Sequence, residues 1–304
     1  MLPATAAPTN VNMAVNLGGL SMKNPVTTAS GTFAAGREYS DFVDVSALGA
    51  ITTKGVSLNG WEGNASPRIA EVPSGMLNSI GLQNPGVEHL KACELPWLAE
   101  VGATAIVNVS GHSFDEYVQV IEALEDAPVD AYEVNISCPN VDAGGMTIGT
   151  HVESVEKVVG MCREATARPL IVKLTPNVTD IAEIARAAES AGADAISLIN
   201  TLMGMAIDAD RRCTLTSRPF AGFSGPAIKP VALRCVWQCH NAVWCRFWAW
   251  AASPTAPMPW SSCSPALRQW RWAPRTSSTP RQPSTSSTAS PSIASVMASK
   301  TSTN

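Results

Sequence analysis

At 304 residues, 45% of them hydrophobic, the chain can bury the core of two average domains or of one large α/β barrel. The formal charge of −4 and the lack of any Lys/Arg cluster interleaved with aromatics speak against a nucleic-acid partner. No apolar run approaches the roughly 18 residues of a membrane span, and MLPATAAPTN at the start lacks the basic-then-apolar order of a signal peptide, so a cytoplasmic protein with no membrane partner is expected.

Residues 1–12 read as an N-terminal extension. Beyond them, short β-rich apolar runs alternate with segments of helical period. The expected strands are NPVTTAS (24–30), AITTKGVS (50–57), ATAIVNVSG (103–111), AYEVNIS (131–137), PLIVKLTP (169–176) and DAISLINT (194–201). Segments 113–126, 151–166 and 177–192 carry apolar faces at helical spacing, the last closed by Gly192. Strand-to-strand intervals of roughly 25 to 45 residues, with polar residues at almost every strand's C-terminal end, predict a (β/α)8 TIM barrel. A doubly wound sheet would usually offer a Gly-rich dinucleotide fingerprint after an early strand, and the sequence has none.

The alternation is expected to stop at Val243. None of the 25 acidic residues lies beyond Asp210, six of the nine tryptophans fall between 244 and 272, and 16 of the last 29 residues are Ser or Thr. The Ser/Thr-rich stretch from about 276 can bury too little apolar surface to offset its chain entropy. The expected organisation is a barrel of six recognisable β-α units over 13–242, then an aberrant, disordered tail over 243–304 where two further units belong.

The strand ends present Ser30 and Gly31, Lys54, Asn108, Asn135 and Cys138, Lys173, and Asn200 with Thr201. This inventory has lysines, amides, a thiol and hydroxyls but neither carboxylate nor histidine, which argues against hydrolysis by paired carboxylates or a Ser-His-Asp arrangement. It suits a planar anionic ligand with imide-type edges, because Asn is donor and acceptor together and Lys brings fixed positive charge. Eight cysteines without C-x-x-C spacing imply no metal on this chain. Cys235 and Cys239, four apart in CVWQCH, are expected to pack within a helix, and His112 is expected to be structural.

Seven strings occur in order: ASGTF (29–33), TTKGVS (52–57), NSIGLQNPG (78–86), NISCPN (135–140), VKLTPN (172–177), INT (199–201) and GFSGPAIKP (222–230). Together, over residues 13 to about 242, they resemble the class 1 dihydroorotate dehydrogenases. The resemblance implies an FMN enzyme that oxidises dihydroorotate to orotate in pyrimidine synthesis. One substrate carbon gives a hydride to the flavin while a base takes the proton of its neighbour. Cys138 matches that base, and a thiol near pKa 8.5 comes within reach of neutral pH once a local positive charge favours the thiolate. Gly144 and Gly145 match the mobile loop that closes over substrate.

Other positions carry over in the same way. Lys54 matches the residue that touches both flavin and substrate, and Lys173 the one beside the electron-accepting end of the flavin. Ser30, Gly55, Asn108, Asn135, Ile199 and Gly225 match further flavin contacts, Gly225 near the phosphate. Asn78, Ser79, Ile80, Gly81, Leu82, Asn135, Asn200 and Thr201 match the substrate-binding set.

GLQNPG (81–86) resembles the NAD-linked class 1B form, since the fumarate-using class 1A usually has proline where Gln83 stands. The membrane-associated class 2 uses serine in place of Cys138. Class 1B membership implies a partner subunit carrying FAD and a 2Fe-2S cluster, two copies of it joining two catalytic subunits in a heterotetramer. The alternatives are a fumarate-dependent class 1A enzyme, a related dihydropyrimidine-type oxidoreductase, and an inactive, truncated flavin-barrel remnant.

The tail has a reading of its own. Tryptophan has one codon, so Trp248-Ala249-Trp250-Ala251-Ala252-Ser253 is TGG GCN TGG GCN GCN TCN. Read from the third base, it permits Gly-Met-Gly-Gly-Ile, which resembles the glycine-rich phosphate loop after the family's seventh strand. Residues 268–275 likewise permit AVAVGTA, resembling its eighth strand. A one-base deletion near codon 243 is the expected cause, with weak FMN binding and poor solubility as its consequence.

Overall fold

The computed structural model describes residues 12–136 and 148–249. A hairpin of β1 (Val15–Leu17) and β2 (Leu20–Met22) comes first, then β3 (Ile51–Thr52) and an antiparallel pair, β4 (Ile69–Val72) and β5 (Gly75–Asn78). Strand and helix then alternate through α1 (Leu95–Glu100), β6 (Ala105–Val109), α2 (Phe114–Leu124), β7 (Ala131–Asn135), α3 (Val152–Ala165), β8 (Leu170–Lys173), α4 (Ile181–Ser190) and β9 (Ala195–Leu198). An antiparallel excursion of β10 (Leu202–Gly204), β11 (Ile207–Asp208), β12 (Cys213–Thr214) and β13 (Ala221–Ser224) leads to α5 (Lys229–Ala242) and β14 (Arg246–Ala249).

The parallel sheet runs β3-β6-β7-β8-β9-β14, in chain order throughout. A doubly wound sheet reverses its order at a switch point. An unreversed series of β-α units is that of a TIM barrel, the expected fold class. Caps set the helix starts where the sequence has them: the Ser113 hydroxyl accepts from Glu116 N–H, and the Asp180 carboxylate from Ala182 N–H.

Strands β3, β6, β7, β8 and β9 are buried on both sides, and the two sides differ. On the outer face Ile51, Val107, Val109, Tyr132, Val134, Leu170, Val172, Ile196 and Leu198 pack under the helices. Burying each such side chain contributes about 1.5–3 kcal/mol, which is what fixes helices to sheet. On the inner face Ala50, Ile106, Ala131, Ile171 and Ala195 alternate small and large around the barrel, closed from below by Leu17, Leu20 and Met22 of the hairpin. That alternation lets neighbouring strands interdigitate without voids.

Two elements differ from expectation. The strand at 24–30 is reduced to one parallel bridge, Thr27 to Ala50. Beside it the Thr28 hydroxyl accepts from Thr52 N–H at 3.0 Å, so a side chain takes the place of a ladder carbonyl. The regular structure also continues past Val243: β14 pairs in parallel with β9, Arg246 opposite Ala195. The backbone N–H groups of Trp244 and Cys245 both donate to Glu189 Oε1 at the end of α4, and this carboxylate steers the chain into the seventh barrel position. The remainder of the expected tail, 250–304, lies outside the described residues.

Candidate active site

The C-terminal ends of the parallel strands form the barrel mouth, and two side chains meet across it. Lys173, half-buried at the end of β8, donates from Nζ to the buried Ser30 Oγ at 3.2 Å, tying the fifth strand to the segment after the first. Lys54, also half-buried, lies two residues beyond β3, its backbone N–H held by the Ala34 carbonyl. Gly55 follows it. A Cβ there would lie 2.6 Å from Asn108 Oδ1 and 3.0 Å from Ser110 Oγ, so only glycine leaves the amide accessible from this side. Asn108, fully buried on β6, receives Asn135 Nδ2 on its Oδ1 at 3.4 Å. The Asn135 carbonyl is itself held by the Tyr117 hydroxyl at 2.9 Å.

A second cluster forms where the antiparallel sheet β10-β13-β5-β4 adjoins the mouth. Asn78 Nδ2 donates to the Gly222 carbonyl at 3.1 Å. A Cβ on Gly222 would lie 2.4 Å from Thr201 Oγ1 and 3.1 Å from Asn78 Nδ2, so this glycine lets three segments converge. Asn200 follows β9 and Ile199, its N–H on the Leu174 carbonyl and its Oδ1 accepting from Thr201 N–H. Asn177 pins the same turn, donating to the Thr201 carbonyl and accepting from Met203 N–H.

The 79–82 turn completes this side. Ser79 is buried with its hydroxyl held by Asn64, Ile80 gives its carbonyl to Asn64 N–H, and Gly81 and Leu82 both adopt positive φ, 75° and 54°. Gln83 accepts from Arg68 at 2.8 Å. Gly225 has a local requirement of its own: with φ at 114°, a Cβ there would lie 2.6 Å from Gly75 Cα, so the turn at Ser74–Gly75 demands glycine whatever binds nearby.

Among the described thiols, Cys162, Cys239 and Cys245 are pushed up to about 12 by burial, and Cys235 is raised for the same reason. These four are inert packing groups. No cluster of three potential metal ligands occurs among the described residues. His112 packs on Trp61 and pairs with Glu116, in a structural role. Cys138, Gly144 and Gly145 lie outside the described residues.

The expected mouth inventory needs one correction. It contains a carboxylate, Glu133, buried on the inner face of β7 with Oε1 2.5 Å from Asn108 Nδ2. Strand alternation carried the signal, since Glu133 and Asn135 are two apart and share a face. Two hydroxyls, Ser110 Oγ and Ser197 Oγ, are buried without a hydrogen-bond partner among the described residues. Ser197 stands opposite Lys173 in the ladder.

The profile of the dihydroorotate dehydrogenase family matches residues 12–246. The chain belongs to this family. It is 55% identical over 235 residues to the dihydroorotate dehydrogenase B (NAD(+)) catalytic subunit of Alkaliphilus metalliredigens, covering 77% of this chain and 78% of that one. The same-named subunits of Desulforamulus reducens and Bacteroides fragilis are 54% and 52% identical over 234 and 233 residues, with 77% and 76% of this chain and 77% of each relative covered. Dihydroorotate dehydrogenases are oxidoreductases, and the barrel mouth is where a TIM-barrel enzyme places its chemistry. No helix among the described residues is long and apolar enough to cross a membrane.

Proposed function

We propose that this chain is the FMN-binding catalytic subunit of a cytoplasmic, NAD-linked dihydroorotate dehydrogenase, oxidising dihydroorotate to orotate. The observation that carries the reading is the polar mouth itself: a glycine cradle at Gly55 facing Asn108 and Ser110, and two buried hydroxyls lacking partners among the described residues, one opposite a lysine. Buried polar atoms are otherwise satisfied, so these fit a large polar anion. When bound, FMN supplies a two-electron acceptor for the substrate's hydride.

The chain's own residues do the rest. Ser30, Lys54, Gly55, Asn108, Asn135, Lys173, Ile199 and Gly225 hold and orient the flavin, Lys173 placing positive charge where negative charge develops. Lys54, Asn78, the 79–82 turn, Asn135, Asn200 and Thr201 bind the substrate, amides reading its imide and carboxylate edges. Cys138, three residues beyond Asn135 on the segment leaving β7, accepts the substrate proton as its general base. Electrons leave through a partner subunit carrying FAD and 2Fe-2S, in a heterotetramer of two subunits of each kind.

A second reading concerns the tail. The family match stops at residue 246 of 304. We read residues from about 243 as out-of-frame, so that the frame-restored chain is the active form and the chain as written binds FMN weakly. Orotate formation from dihydroorotate with a dye acceptor tests the function. Frame-restored protein should turn over; failure with bound FMN would refute the substrate assignment.

A further inference from the structure

Glu133 has no role in the reading above, yet it is the one carboxylate among the described residues of the parallel strands' inner face. It is 2% exposed, and its only side-chain hydrogen bond among the described residues is the one Oε1 accepts from Asn108 Nδ2. Taking a carboxylate out of water for one amide contact is unfavourable, and an apolar residue of similar volume would serve stability as well. Its chemistry suggests why it is there. A carboxylate accepts but does not donate, so the amide atom facing it must be nitrogen. The Asn108 carbonyl oxygen must then face the other way, towards the bare Cα of Gly55 and towards Asn135 Nδ2. With apolar neighbours instead, the amide could rotate and present its NH2 to the cradle.

We infer that Glu133 is a positioning residue: it locks the Asn108 amide so that a hydrogen-bond acceptor, never a donor, faces the cofactor cradle, and through that oxygen it orients Asn135. The cradle thereby selects a ligand edge that offers an N–H at this point. The inference rests on the proposal that FMN occupies the mouth.

The test is FMN titration by fluorescence quenching, with the visible spectrum of the bound flavin, on the chain and on its frame-restored form. Glu133→Leu removes the acceptor and frees the amide; it should weaken FMN at least about tenfold and shift the flavin band while leaving the thermal unfolding of the apoprotein near that of the parent. Glu133→Gln still has a carbonyl to accept from Asn108 and should stay within about threefold. Because Glu133 acts through Asn108, adding Glu133→Leu to Asn108→Ala should cost nothing further. FMN affinity and spectrum unchanged in Glu133→Leu, or additive losses in the double variant, would overturn the inference while leaving the FMN reading intact. Neither form of the unsubstituted chain taking up FMN would overturn the reading itself, and the inference with it.

Discussion

The floor and the mouth of the barrel are built on the inner faces of the same strands, yet they share almost no chemistry. At the floor, Ala50, Ile106, Ala131, Ile171 and Ala195 fill the barrel against the β1–β2 hairpin. Two residues further along, the same faces carry Thr52, Asn108, Glu133, Lys173 and Ser197, and the buried Ser110 and Ser197 hydroxyls have no partner among the described residues. The difference teaches that a period-two strand can hold the fold at one end and leave polar groups unsatisfied at the other. The apolar end supplies the stability that the polar end forgoes.

Substitutions at the two ends should therefore separate function from stability. Cys138→Ser in the frame-restored chain should retain FMN but lose about a hundredfold to ten-thousandfold in turnover at neutral pH, since a hydroxyl is a far weaker base than a thiolate; steady-state kinetics with a dye acceptor would check it. At the floor, Ile171→Ala should lower stability by about 2–5 kcal/mol in denaturant titration, and the flavin-reduction rate of whatever remains folded should change little. Lys173→Ala should slow flavin reduction about ten- to a hundredfold, through charge left uncompensated at the mouth, with less effect on unfolding than Ile171→Ala. A floor substitution that abolished reduction in fully folded protein would break the division.

The parallel strands were legible because apolar runs of four or five residues recur between amphipathic helices, and Lys173, Asn108 and Asn135 could be placed from their positions at strand ends. The segment at 24–30 read as a full strand because nothing local signals that Thr28 will accept the Thr52 N–H with its side chain. Gly222 has no local signal in the sequence, since its value lies in contacts with Thr201 and Asn78, 21 and 144 positions away. Glu133 was missed although its strand register gives it away. β14 was missed because Glu189, far back in the chain, supplies the anchor for its entry.

Sequence on either side of residue 246 sharpens a second contrast. Every acidic residue lies before it, and the family match ends at it. Nucleotide sequencing of the locus should show that the frame starting at the third base of the present codons encodes Gly-Met-Gly-Gly-Ile across codons 248–253. A stop codon there, or codons without glycine, would remove the frame-change explanation.

The central claim is that the mouth holds a flavin that dihydroorotate reduces. Anaerobic addition of dihydroorotate to the frame-restored chain loaded with FMN, followed by absorbance of the oxidised flavin, tests it in a single turnover. One equivalent should bleach the flavin completely and release one orotate. A flavin that stays bound and oxidised in excess dihydroorotate would contradict the claim.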